Sequence, residues 1–326
     1  NTLKVVRPES GFLNAGEASG VLVQNDDVYF ASYYSETGDG QVTSNDWYAR
    51  EAGTLGNSLR LEVCPSATAY EQDLGVGNLV NGAGAVGDTT ITVDDADASG
   101  FAFQVGDMIK FHTNDSITAT SNGAITTASI NLTVDANSGT IAVGNRVIAA
   151  GIDEVVTVKT VTSQTALILD KAITIADNVS MAFSTYASVE DGNKEYEVTA
   201  INSEVLTIRL KDDADSGGLQ TIIPDNSFIT RRWRFSDRFD GAPRTSAWNT
   251  QNGRGAGDEI HVVVFDGTGD ITGFKVDVAG QRTAAIIETY GNLSKNPSAK
   301  GPQGDSIYYP TVFFNQSDFV YWGDHI

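Results

Sequence analysis

Few residues of this chain have the type and spacing that chemistry needs. Gly82-Ala83-Gly84-Ala85-Val86-Gly87 matches the G-x-G-x-x-G pattern of a dinucleotide site. Such a site requires a helix to begin there, so that its N-terminus faces the pyrophosphate. The following Asp88-Thr89-Thr90-Ile91-Thr92-Val93 reads as a strand, so the glycines are read as flexible chain. Asp95, Asp97, Ser99 and Gly100 are spaced like the opening of a calcium loop, but its twelfth position is Gly106, where a bidentate Glu is required. Asp213, Asp215 and Gly217 fail in the same way, at Pro224. His112, His261 and His325 lie far apart and form no ligand-spaced pair, which favours structural or surface roles. No serine sits in a nucleophile elbow. Carboxylate pairs carry little weight in so acidic a chain. The single cysteine, Cys64, excludes an internal disulfide framework and a multi-cysteine zinc site, and reads as a small buried apolar residue. No catalytic residue, cofactor or metal site is assigned, and a non-enzymatic protein is expected.

One cluster stands apart. Between residues 228 and 254, Arg231-Arg232-Trp233-Arg234, Arg238, Arg244 and Arg254 face only Asp237 and Asp240, a net charge of +4. Its plain reading is a basic linker lying over the protein's own acidic surface. Its functional reading is a subunit contact through Arg231, Arg232, Trp233, Arg234 and Arg238. An acidic patch on a neighbour would then be matched by charge complementarity, which fixes register. Trp233 would stack on an arginine or anchor in a pocket.

The elements that position these residues are mostly strands. The chain has 326 residues, 33 of them Gly, with a formal net charge of −21. That length predicts more than one domain. The charge argues against nonspecific nucleic-acid binding and against an anionic membrane surface. No apolar run approaches the roughly 18 residues of a membrane helix, and no signal peptide is expected. Residue 1 is Asn and the chain stops on an apolar run, as a fragment cut at both ends would.

Ile260 to Phe265 carries five apolar side chains without alternation, the pattern of a strand buried on both faces. Leu3 to Val6, Val21 to Val23, Leu59 to Val63, Phe274 to Val278, Ala285 to Tyr290 and Phe319 to Trp322 also read as strands. Thr43-Ser44-Asn45-Asp46 predicts a cap for a short helix over Trp47 to Glu51. Asp305 to Phe314 fits either a strand or a helix that tolerates Pro310 in its first turn. Residues 75–227 hold 20 acidic and 7 basic residues, a net −13, and repeat internally. Thr90 to Asp94 leading to Val105-Gly106-Asp107 parallels Leu132 to Asp135 leading to Val143-Gly144-Asn145. Val158 to Gln164 parallels Val198 to Glu204.

The expected fold is therefore mainly β with a few short helices (α+β), a discontinuous core domain with inserted all-β domains. The boundaries read as 1–74 plus 228–326 for the core, 75–128 plus 184–227 for a small β-barrel, and 129–183 for a second, nested barrel.

Several stretches together resemble the contractile tail sheath proteins of myovirus-type bacteriophages. They are Leu3-Lys4-Val5-Val6-Arg7, the run Ala49 to Leu61 with its Gly53-Thr54-Leu55-Gly56-Asn57 turn, Glu259 to Asp266, Ile287 to Ser294, and Asn315 to Trp322. Their order and spacing follow that family over roughly residues 1–10, 45–65 and 255–326. The family's N-terminal portion and its C-terminal tube-lining domain have no counterpart here. The resemblance implies a structural subunit in stacked six-fold rings around a tail tube, contracting to drive that tube through the host envelope. It implies copies of itself and the tail tube protein as partners, no nucleic acid, no membrane insertion, and a place in the virion after assembly in the bacterial cytoplasm. The alternative is a virion surface or adhesin module that binds a host glycan, for which Phe101, Phe103 and Tyr186 are the candidate aromatics in the insertion.

Overall fold

In a computed structural model the protein is mainly β with short helices. The structure describes residues 2–5, 8–9, 13–14, 25–32, 47–50, 54–74, 78–96, 103–114, 117–152, 154–185, 188–189, 194–211, 218–273, 275–276, 282–283 and 285–323. Two units divide it, Asn1–Ser66 with Asp237–Ile326, and Ala67–Ser236.

The first unit is built on a four-stranded antiparallel sheet in the order Thr2–Val5, Leu59–Cys64, Glu259–Asp266, Ala285–Ser294. Glu259–Asp266 is an interior strand buried on both faces, as its unalternating apolar run requires. One face, Ile260, Val262 and Val264, packs with Leu59, Leu61 and Val63 against Trp47, Tyr309, Val312, Phe313 and Trp322. The ambiguous stretch near Pro310 is a helix, Tyr309–Gln316, with the proline in its first turn where a missing N–H costs no bond.

Trp47–Ala49 is a strand and not the start of a helix, because it pairs with Val320–Trp322 and is wholly buried there. Nonlocal pairing overrides the local cap signal, and Thr43 to Asp46 lie outside the described residues, as do Val21 to Val23. Phe274 to Val278 is described only as Lys275–Val276. Beside the short pair, Tyr29 stacks on Tyr321 at 4.4 Å and donates to the Trp322 carbonyl at 2.7 Å. The Arg50 guanidinium lies 4.0 Å from the Tyr321 ring centroid and reaches Asp26 and the Phe314 carbonyl. Burial and the Asp26 carboxylate push the Tyr321 phenol up to about 12.

Two buried aspartates and a buried histidine of this unit are held by several hydrogen bonds each. Asp266 accepts from Ser58 Oγ, from the N–H groups of Gly269, Ile271 and Thr272, and from Thr272 Oγ1. Asp258 accepts from Ser246 N–H and Ser294 Oγ, and Ser246 caps the helix Ala247–Asn252. Burial alone would raise both carboxyls, but these donors hold them below the usual carboxylate range. His261 is stacked on Phe239 at 4.3 Å, and its Nδ1 accepts from Asn292 N–H at 3.0 Å. Nε2 therefore carries the proton and donates to the Gly241 carbonyl at 2.8 Å. Burial pushes this imidazole below its ordinary value. The unfolded chain binds that proton first, so the stability His261 supplies is complete above about pH 6.5 and is lost as pH falls below it. Thermal melting should accordingly drop between about pH 7 and pH 5, and His261→Gln should flatten that drop. The two aspartates act in a separate window, below their ordinary 3.8.

The second unit contains two six-stranded sheets, each with its own apolar core. The first runs Glu71–Asp73, Phe228–Arg232, Met108–His112, Tyr196–Asn202, Val205–Leu210, Thr90–Thr92. The second runs Arg146–Ala149, Ser180–Ser184, Ile117–Ser121, Ile125–Asp135, Ala166–Ile175, Val158–Ser163. Strands near 90 and near 132 thus lie in separate sheets. Three boundaries differ from the sequence reading, the first because Glu71–Asp73, read as part of the core, is a strand of the second unit. The inner sheet spans 117–184, because Ile117–Ser121 pairs with Ser180–Ser184 and with Ile125–Asp135. Residues 228–232 are no linker but a strand between Glu71–Asp73 and Met108–His112.

The internal repeat is drawn in matching hydrogen bonds. Gly106 N–H donates to Val198 O at 2.7 Å, and Gly144 N–H to Val158 O at 2.8 Å. Asp107 Oδ2 accepts from Gln104 N–H, as Asn145 Oδ1 accepts from Ala142 N–H. Gly106 and Gly144 have φ of 98° and 88°, a region only glycine enters without strain. At the other turn, Asp225 and Asp177 each accept from a glycine N–H at 2.7 Å, from Gly82 and Gly123, and each precedes a left-handed Asn, at φ 60° and 59°. Gly82 to Gly87 accordingly belongs to this turn and its bridge to Ile223, with the strand Thr90–Thr92 following.

Candidate functional site: the arginine segment

Strand alternation decides where the arginines point. In Phe228–Arg232, Ile229 and Arg231 face one side of the sheet, and Phe228, Thr230 and Arg232 the other. Arg231 is 5% exposed. Its Nη1 lies 3.2 Å from Asp107 Oδ2, and its Nη2 donates to Gln72 Oε1 and the Thr68 carbonyl, each at 3.1 Å. Burial pushes the Asp107 carboxyl up, against the opposing pull of Arg231. Arg232 holds Glu195 through Nε and through Nη2, the latter at 2.6 Å, and donates to Ser236 Oγ at 2.9 Å. Lys211 adds a contact to Glu195 at 3.2 Å. Burial would raise that carboxyl, but the Arg232 bonds and the two cations hold it low.

Trp233 is fully buried, edge-on to Phe235 at 5.5 Å, and donates its backbone N–H to Tyr70 O. Phe235 receives an arginine, with the Arg234 guanidinium 4.9 Å from its centroid. Arg234 also lies 3.8 Å from Glu197. Arg231, Arg232 and Trp233 are thus turned into their own unit: Arg231 meets Asp107 just before the adjacent strand, and Arg232 meets Glu195 just before the strand beyond it. Arg238, in a 3-10 turn at Ser236–Arg238, is exposed and belongs to the other unit.

A cleft of about 90 Å³ opens beside Arg232, lined among others by Glu71, Met108, Lys110, His112, Arg146 and Glu195. Arg146 comes from the inner sheet and pairs with Asp73 of the outer one, joining the two copies. An apolar contact of Phe228 with Ile148 and Ala182 does the same. Burial pushes the Asp73 carboxyl up, with Arg146 pulling the other way. His112 shares a 2.7 Å hydrogen bond with Thr230 Oγ1. Charges of both signs line the cleft, an arrangement suited to locking two sheets together.

Among the described residues no group of three or more His, Cys, Asp or Glu is arranged to hold a metal ion. No helix among them is long and apolar enough to cross a membrane. Asp97, Ser99, Gly100, Asp213, Asp215, Gly217 and His325 lie outside the described residues, as do Phe101 and Tyr186. Phe103 is buried in the outer sheet's core. Cys64 is buried, with its thiol 3.5 Å from the Ser66 carbonyl. The partners Asp107, Glu195 and Gln72 were not singled out by sequence reasoning. The one available signal was Asp107, which stands where the second copy of the repeat has Asn145. Comparison with known proteins found no matching family model, no matching curated protein and no matching solved structure.

Proposed function

We propose that this chain is a structural subunit of a contractile phage tail sheath, working through copies of itself around a tail tube. The observation that carries the reading is the split core. Leu59–Cys64 and Glu259–Asp266 are adjacent strands of one sheet although the whole of the second unit lies between them in the chain. The stretches that carry the family resemblance, including Glu259 to Asp266, Ile287 to Ser294 and Asn315 to Trp322, all belong to that one unit. An insertion with its own cores can vary without disturbing such a scaffold. Subunits of this kind repack as nearly rigid bodies during contraction, and sheets braced by buried hydrogen-bonded carboxylates such as Asp266 and Asp258 suit that demand. Within this reading Arg238, Arg244 and Arg254 are the exposed members of the arginine segment that offer their side chains to a neighbouring subunit. Electron microscopy of the full-length protein tests the proposal, with hollow striated tubes as the expected result.

A further inference from the structure

The chain enters the second unit at Ala67 and leaves it at Ser236, and these two passages are bonded to each other. Entry strand Glu71–Asp73 pairs antiparallel with exit strand Phe228–Arg232. Beyond the strands, Trp233 N–H donates to Tyr70 O at 2.8 Å, and Tyr70 Oη donates to Ser236 O at 2.8 Å. Arg231 adds its bonds to Thr68 O and Gln72 Oε1 on the entry side. It also reaches Asp107 next to the third strand.

An antiparallel pair pulled from one end opens like a zipper, one backbone pair at a time. Here the opening of the Arg231–Gln72 pair must also break the bonds to Gln72 Oε1 and Thr68 O from a buried guanidinium that Asp107 holds on the side of the third strand. The protein contains its own control for what the fold requires. By sheet register, Gln72, Asp107 and Arg231 correspond to Ile117, Asn145 and Phe183 of the inner copy. The inner copy forms the same sheet with no charge at these positions, so the fold does not dictate the trio. The two copies differ in what their ends join. The inner copy is held at both ends by its sister, whereas the outer copy is held by the rest of the chain.

We infer that Arg231, with Asp107, Gln72 and Thr68, is a clamp that closes the neck of the insertion against force. The inference rests on the mechanical reading of the chain proposed above. It predicts resistance in one direction in place of added thermal stability, since removing a buried ion pair as a whole is often neutral for stability.

The test holds the full chain by cysteines placed at Ser66 and Asp237, with Cys64→Ala, and measures neck opening at constant force in optical tweezers. The variant Gln72→Ile with Asp107→Asn and Arg231→Phe installs the inner copy's residues. Its neck should open about 10- to 100-fold faster, as expected for the loss of charge-assisted hydrogen bonds, while its melting temperature stays near that of the unaltered chain. An unchanged opening rate overturns the inference, and so does a melting temperature that falls in step with it. If that variant does not fold, Arg231→Met with Asp107→Asn removes both charges together and is read in the same way. The tweezers report on single chains, so failure here leaves tube assembly standing, and failure of tube assembly leaves the opening rates standing.

Discussion

Arg231→Met alone should destabilise the second unit by about 3–5 kcal/mol, the usual penalty for breaking a buried ion pair from one side. The arginine is 5% and Asp107 2% exposed, so water does not replace the lost partner. Asp107 keeps the Gln104 N–H but loses its cation. Gln72 and the Thr68 carbonyl lose a donor as well. Part of the cost will be relieved by protonation of Asp107, whose carboxyl burial already pushes up. The destabilisation should therefore shrink as pH is lowered, and Asp107→Asn added to Arg231→Met should recover much of the loss. Denaturant unfolding followed in the single and double variants measures both effects. A single variant as stable as the unaltered chain would mean that Arg231 is not committed inward, and would return it to the list of surface contacts.

Phe313→Ala should destabilise the first unit by about 3–5 kcal/mol, the range for emptying a buried aromatic site. Phe313 is fully buried, edge-on to Trp47 at 4.6 Å and 4.5 Å from Tyr290. Trp47 precedes the insertion, and Tyr290 and Phe313 follow it. The loss consequently reports on whether the two chain segments share one core. Thermal melting of the variant checks this, and a shift of less than about 1 kcal/mol would argue that the segments do not pack together.

How much of this was legible in the sequence depended on how local the deciding interaction is. The central strand Glu259–Asp266 was readable because a run buried on both faces needs no alternation. The duplicated sheets were readable because their turns repeat the same residues, Val-Gly-Asp and Val-Gly-Asn, which the left-handed glycine demands. Trp47–Ala49 was misread as helical because its partner Val320–Trp322 lies at the far end of the chain. The arginine segment was misread as a linker for a related reason. Three charges in four residues look solvent-bound until the sheet brings Asp107, Glu195 and Glu197 beside them. Ion partners so distant in sequence leave no spacing to read. The second copy's strand Ile117–Ser121 was assigned to its sister because it precedes the recognisable repeat.

The central claim is that this chain is a scaffold that works by assembling with copies of itself. Helical reconstruction of assemblies of the full-length protein, imaged across salt and protein concentration, tests it most directly. The account predicts hollow tubes of stacked six-fold rings, with the split sheet of Leu59–Cys64 and Glu259–Asp266 intact in every subunit. Isolated monomers or trimers under all those conditions would contradict it.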